Sequence, residues 1–267
     1  MRSYLAAAVQ MTASSAKEEN LAKAETFVRL AAERGASLVV LPEVFSWRGP
    51  KGEGPKQAEA IPGPTSNRLS TLARQHRIHL VAGSFLEQSD EPRSHNTSLL
   101  LNPAGEILAC YRKIHLFDID IPGQVTVKES ASMKPGVEVV VHNTLLGIFG
   151  LSVCYDLRFP ELYRQLAQRG AEVLFVPSAF TSPTGAAHWE PLLRARAIEN
   201  QVYVIAPNQI GKNVHGHADY GNSMIIDPWG KIIARAPDKE CIITAEIDRD
   251  YLEKVRRELP CLAHRRL

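Results

Sequence analysis

One pattern is written twice along this chain: strand, helix, strand, helix, strand, hairpin. That repetition restricts the folds open to it. In the first half, Tyr4–Met11 reads as a strand. Lys17–Arg34 sets Leu21, Ala24, Phe27, Val28 and Ala31 at helical spacing, with Gly35 as the stop. Ser37–Leu41 reads as a buried strand, Thr65–Arg77 as a helix and Ile78–Leu86 as a further strand. The hairpin TSLLLNPAGEILACYRK then turns at Asn102-Pro103-Ala104-Gly105.

The second half follows the same grammar. Gly147–Cys154, Glu172–Phe180 and Val202–Pro207 are its strands, with helices over Phe159–Gln168 and Ala187–Asn200. The hairpin NSMIIDPWGKIIARA turns at Asp227-Pro228-Trp229-Gly230, so NPAGEILA and DPWGKIIA align. A strand over Cys241–Ile247 and a helix over Asp250–Leu259 close the chain. Two similar sheets with apolar faces packed together and helices outside satisfy this pattern, giving an α/β fold of four layers, α-β-β-α. The alternative is one continuous doubly wound sheet. All 267 residues are expected to form a single domain. Arg48–Pro64 and Ile119–Gly136 are long for connectors and are candidate active-site walls.

A net charge of +2 without like-charge blocks gives no bulk attraction for nucleic acid or membrane. No apolar run reaches the ~20 residues of a membrane span. Cys110, Cys154, Cys241 and Cys261 are widely spaced, which disfavours a disulfide framework or a structural zinc site. A soluble, cytoplasmic protein is expected.

Three residues at strand ends carry candidate chemistry. Cys154 ends an apolar strand just before a helix, whose N-terminal partial charge favours thiolate; its alternative is a small buried hydrophobe. Glu43 follows SLVVL-Pro42, where partial desolvation raises a carboxyl pKa and suits a general base; its alternative is a solvated loop charge. Lys113 ends the first hairpin, where a cation can stabilise an oxyanion; its alternative is a snorkelling lysine. Taken singly, none decides the matter.

Taken together, LPEVF, YRKIHLFD and CYDLRFPELYR resemble the Glu, Lys and Cys signatures of the nitrilase, or carbon–nitrogen hydrolase, superfamily. The similarity also runs through IDIPGQVTVKES, SPTGAAHWEPLLRARAIENQVYV and DPWGKIIARA. The resemblance implies the four-layer sandwich and a thiol amidase with no metal or organic cofactor. It implies Cys154 as nucleophile, Glu43 as general base and Lys113 as oxyanion stabiliser, with the Tyr155 N–H suggested as a second donor. Glu129, in VKES, matches a second family glutamate that positions the lysine, the base and the substrate.

Arg158 lies four residues beyond Cys154 and suits a substrate carboxylate; its alternative is a salt bridge to Asp156 or Glu161. Thr184 could add a hydroxyl to the same anion or close a turn. Within the superfamily the chain is similar to the Nit subfamily. That implies a small carboxylate-bearing amide substrate, deaminated glutathione first and α-ketoglutaramate (an ω-amidase reaction) second. A true nitrilase and a catalytically silent interaction protein are the further alternatives. Ala186 departs from the proline frequent in this loop of the family. A homodimer or larger homo-oligomer is implied, through the helix after Cys154 and the C-terminal segment. The His215/His217 pair shows no third metal ligand. Trp189 reads as packing, Glu190 as structural and Glu199 as an ion-pair partner of Arg194 or Arg196.

Overall fold

The computed structural model describes residues 2–50, 52–123, 125–212, 216 and 218–266. The chain runs β1 (Ser3–Gln10), α1 (Lys17–Glu33), β2 (Leu38–Val40), a short α2 (Gly54–Gln57), α3 (Pro64–His76), β3 (His79–Val81) and β4 (Phe85–Glu87). The hairpin β5 (His95–Leu101) and β6 (Ile107–Arg112) follows, then an arm of β7 (Asp118–Ile121) and β8 (Val125–Lys128). The second half holds β9 (Val141–Thr144), β10 (Gly147–Leu151), α4 (Pro160–Gln168), β11 (Val173–Phe175), α5 (Ser182–Asn200) and β12 (Tyr203–Ala206). Strands β13 (Ile210–Lys212) and β14 (Ala218–Tyr220) form a separate ribbon. The chain then runs through β15 (Met224–Ile226), β16 (Ile232–Arg235), β17 (Cys241–Asp248) and α6 (Arg249–Glu258).

One sheet has the order β17-β1-β2-β3-β5-β4, with β6 added on β5; the other has β16-β15-β12-β11-β10-β9. Strands β1, β2 and β3 run parallel, and so do β10, β11 and β12. Helices α1 and α3 cover the first sheet, and α4 and α5 cover the second. The fold is a four-layer α-β-β-α sandwich.

Side-chain alternation explains the layering, because successive residues of a strand face opposite ways. Ala6, Ala8, Leu38 and Val40 join the core shared with Phe149, Leu151 and Phe175 of the second sheet. Their neighbours Ala7, Val9, Val39 and Leu41 pack with Leu21, Ala24 and Val28 of α1. His79 meets Phe149 edge-on across the two sheets, with ring centroids 6.4 Å apart. Each large apolar side chain so buried contributes about 1.5–3 kcal/mol.

The two aligned hairpins share one construction. Asn102 Oδ1 accepts from the N–H groups of Ala104 and Glu106, both at 2.9 Å. Asp227 Oδ1 accepts from Trp229 and Lys231 in the same way, also at 2.9 Å. Each hairpin also carries a register shift just before its turn, at Leu100/Leu101 and at Ile225/Ile226.

Several boundaries differ from the sequence reading. Ile78–Leu86 is two strands, because the backbone swings to φ +54 at Gly83, where a Cβ would lie 2.0 Å from the Pro42 carbonyl. The second-half strands are shorter than expected, and Cys154 stands three residues past the end of β10. Helix α5 begins at Ser182, not Ala187: Pro183 is tolerated in a first turn, and a Cβ at Gly185 would strike the Tyr220 ring at 2.4 Å. The segment expected as an irregular wall over Ile119–Gly136 contains most of the β7–β8 arm. Among the described residues, no helix is long and apolar enough to cross a membrane. His215 and His217 lie outside the described residues.

Candidate active site

Glu43, Lys113 and Cys154 each stand one to three residues past the end of a strand: β2, β6 and β10 respectively. The fold brings these three strand ends together. Glu43 is 4 % exposed. Its Oε1 accepts from Lys113 Nζ at 3.0 Å and from Asn96 Nδ2 at 2.9 Å, and its Oε2 accepts from the Ala179 N–H at 2.8 Å. Gln209 Nε2 donates to the Glu43 carbonyl at 2.8 Å. The next residue, Val44, has φ +46, a region a β-branched residue avoids, and its N–H is held by Ser84 Oγ at 2.9 Å.

Lys113 is 2 % exposed and lies between two carboxylates. Besides Glu43 it donates to Glu129 Oε1 at 3.0 Å and Oε2 at 2.9 Å. Glu129 opens a single 3-10 turn directly after β8, and the Phe117 N–H donates to its Oε2 at 2.6 Å. The β7–β8 arm therefore delivers the second glutamate to the lysine.

Cys154 opens a 3-10 turn, Cys154–Arg158, with φ +48. Its N–H donates to the Pro177 carbonyl at 3.0 Å, and its thiol faces the Glu43 carboxylate. Arg196 clamps the far end of the turn by donating to the Leu157 carbonyl from Nε and Nη2. Strained backbone at Val44 and at Cys154 costs on the order of 1–3 kcal/mol each and is retained here beside the two reactive groups.

The proton inventory corrects two expectations. Burial pushes the Glu43 carboxyl up, as the sequence suggested. The Lys113 charge and hydrogen bonds from Lys113, Cys154 and the Ala179 N–H outweigh burial and hold it below its usual value. Cys154 is not poised as a thiolate: burial first, then the Glu43 charge, push the thiol well above its ordinary value despite Lys113. For Lys113 burial works against the charge, but Glu129 and Glu43 prevail and keep the ammonium form. The resting site is thus carboxylate, ammonium and thiol.

A narrow cavity opens on Cys154, walled by Phe117, Tyr155, Arg158, Phe180, Thr181 and Thr184. Roomier grooves lie along β6 and between α1 and α3, away from this cluster. Arg158 forms neither expected salt bridge. Its guanidinium stands 5.7 Å from the Tyr155 ring centre and 5.2 Å from that of Phe180, and it donates to His188 Nδ1 at 3.3 Å. Thr184 lies in the first turn of α5, its hydroxyl shared with Thr181 Oγ1 at 2.9 Å. Trp189 is fully buried, Glu190 pairs with Arg235, and Glu199 pairs with Arg196 at 2.9 Å.

Sequence reasoning missed Asn96, Gln209 and the Ala179 N–H. Asn96 touches both glutamates, donating to Glu129 Oε1 at 3.4 Å. The available signal was the polar run His95-Asn96-Thr97-Ser98 leading into an apolar strand; all four residues are buried.

The chain shares its fold and much of its sequence with known proteins. The family model described as carbon–nitrogen hydrolase matches residues 5–257. The deaminated glutathione amidase of Synechocystis sp. is 46% identical over 99% of this chain and 99% of its own length. The omega-amidase NIT2 of Homo sapiens is 40% identical over 100% of this chain and 96% of its own. The crystal structure of Saccharomyces cerevisiae Nit3, a nitrilase-superfamily member, superposes with TM-score 0.89 at 36% identity, covering 100% of this chain and 97% of that one. A matched model spanning nearly the whole sequence, relatives aligned end to end and a shared fold place the chain in the carbon–nitrogen hydrolase family.

Proposed function

We propose that this protein hydrolyses the amide of a small α-keto dicarboxylic acid, with deaminated glutathione the first-choice substrate, through a thioester on Cys154. The observation that carries the reading is one buried site in which Lys113 joins Glu43 to Glu129 while the Cys154 thiol faces Glu43.

Glu43 takes the thiol proton as sulfur attacks the amide carbonyl. The oxyanion forms against the Lys113 ammonium and the Tyr155 N–H, one of the first N–H groups of a helical turn and so without a partner within that turn. Protonated Glu43 then gives its proton to the departing amine, and the C–N bond breaks to leave a thioester. Glu43 next deprotonates a water molecule, which cleaves the thioester, frees the acid and restores the thiol. Glu129 keeps Lys113 charged and in place. Arg158, which meets an imidazole and two rings rather than a carboxylate, holds the substrate's carboxylate, and Thr184 lines the same wall.

A second reading, ω-amidase action on α-ketoglutaramate, is favoured by the 40% identity to the omega-amidase NIT2 of Homo sapiens along the whole chain. The whole chain acts as one catalytic domain. It assembles as a homodimer or larger through the helix after Cys154, α4, and the C-terminal segment, where Leu259 is exposed. Exposed Cys110 and Cys261 suit a reducing, cytoplasmic setting.

The test is steady-state kinetics on deaminated glutathione, α-ketoglutaramate and a matched nitrile, with intact-mass detection of the acyl adduct. The expected result is amide turnover and an adduct absent from Cys154→Ala. Preference for the nitrile, or an adduct surviving in Cys154→Ala, overturns the reading.

A further inference from the structure

Asp156 is fully buried, two residues beyond Cys154. Burying a carboxylate is costly unless donors surround it. Four do. Its Oδ2 accepts from the Val153 N–H at 2.8 Å and from the Tyr111 hydroxyl at 2.7 Å. Its Oδ1 accepts from the His115 N–H at 3.0 Å and from His115 Nδ1 at 2.7 Å.

The placement of these donors matters. Tyr111 and His115 stand two residues before and two residues after Lys113. Val153 immediately precedes Cys154. One carboxylate from the second half therefore grips the lysine segment on both sides and, with the same atoms, the residue before the thiol. No strand ladder does this, because β6 and β10 belong to different sheets.

We propose that Asp156 is a positioning residue that sets the spacing of Lys113 against Cys154, acting through Tyr111, His115 and Val153. The role rests on the amidase reading above. Asp156 does not itself line the cavity and takes no part in the proton transfers described above. His115 must present Nδ1–H, because the carboxylate only accepts, and its ring is fixed by stacking on Phe159 at 3.6 Å between centroids. Burial and the Asp156 charge hold the Tyr111 phenol well above its ordinary pKa, so it stays a donor.

Substitutions at His115 test this without removing the carboxylate. The amide nitrogen of His115→Asn falls where Nδ1 stood, and that of His115→Gln falls nearer Nε2. His115→Asn is expected to keep kcat within about threefold of wild type. His115→Gln and Tyr111→Phe lose about tenfold in kcat with KM little changed, and Asp156→Asn loses about a hundredfold, the size of effect that a 1 Å misplacement produces. Alkylation of Cys154 by iodoacetamide forms no oxyanion and so depends on the placement of Lys113 far less than turnover does; it stays within about threefold of wild type in every variant.

Equal losses in His115→Asn and His115→Gln overturn the proposal. So does a loss confined to KM, or alkylation falling in step with kcat, which marks general collapse of the site. If Asp156→Asn does not fold, the His115 pair and Tyr111→Phe decide. A wild-type enzyme that turns over none of the amides sinks the functional reading and the positioning role with it. Turnover with indistinguishable His115 variants sinks the positioning role alone.

Discussion

The two halves share a backbone plan and divide the chemistry between them. The ends of β2 and β6 in the first sheet, together with the β7–β8 arm, carry Glu43, Lys113 and Glu129, two carboxylates joined by one shared ammonium. The end of β10 in the second sheet and the approach to α5 carry the thiol, the aromatic walls Tyr155 and Phe180, and Arg158, whose charge meets rings and an imidazole, while Phe117 alone of the aromatic walls comes from the first half. The difference teaches that a duplicated scaffold can separate proton and charge handling from covalent attack and recognition. Each half is then open to separate attack by mutation.

The largest expected effect breaks the second half. Cys154→Ala should reduce kcat by about ten thousand-fold or more while Tm moves only a few degrees, measured by stopped assays and calorimetry. Next comes the first half. Lys113→Ala leaves Glu43 and Glu129 facing one another without the cation. It should cost about 3–5 kcal/mol in denaturant unfolding, because it strands buried carboxylates, and kcat should fall about 100- to 1,000-fold with the oxyanion donor lost. If the variant is as stable as wild type, the charged set is not a structural unit.

The pH dependence of stability sharpens the same contrast. Glu43 is depressed in the folded state, so its contribution is present above its ordinary value of 4.5 and lost as pH falls below it through the folded value. Lys113 is raised, so its contribution is complete below 10.5 and lost as pH rises past it through the folded value. Chemical denaturation of wild type against Glu43→Gln should converge at the acid end, and a constant difference across pH 2–7 would contradict the ion-pair account. Arg158→Ala should lower kcat/KM about 10- to 100-fold for carboxylate-bearing amides and leave a neutral amide unchanged, which paired substrates would check. Thr184→Val, whose hydroxyl is already shared with Thr181, should change kcat/KM less than about threefold by the same assay.

Much of the plan could be read in advance, because the repeated hairpins rest on local chemistry. An Asn or Asp opens the turn and a glycine at positive φ closes it, at Gly105 and again at Gly230. The strand ends bearing Glu43, Lys113 and Cys154 were legible for a related reason: apolar runs stop abruptly there. The start of α5 was not, since Pro183 and Gly185 look like breakers until Tyr220 is seen lying against the glycine. The protonation of the site was misread because single-residue arguments omit partners. Glu43 was judged by its desolvation, while Lys113 and the Ala179 N–H, distant in sequence, decide the balance. Asn96 was hidden because a buried amide inside a strand means nothing until the two carboxylates beside it are known.

The register of β1 with β17 makes closure of the first sheet a long-range event. β1 pairs along its whole length, Ser3 with Asp248 through Gln10 with Cys241, so every partner lies more than 230 residues away in sequence. Until those contacts form, one side of β1 is an open sheet edge, and pairings of such separation are slow to form and exposed to wrong association.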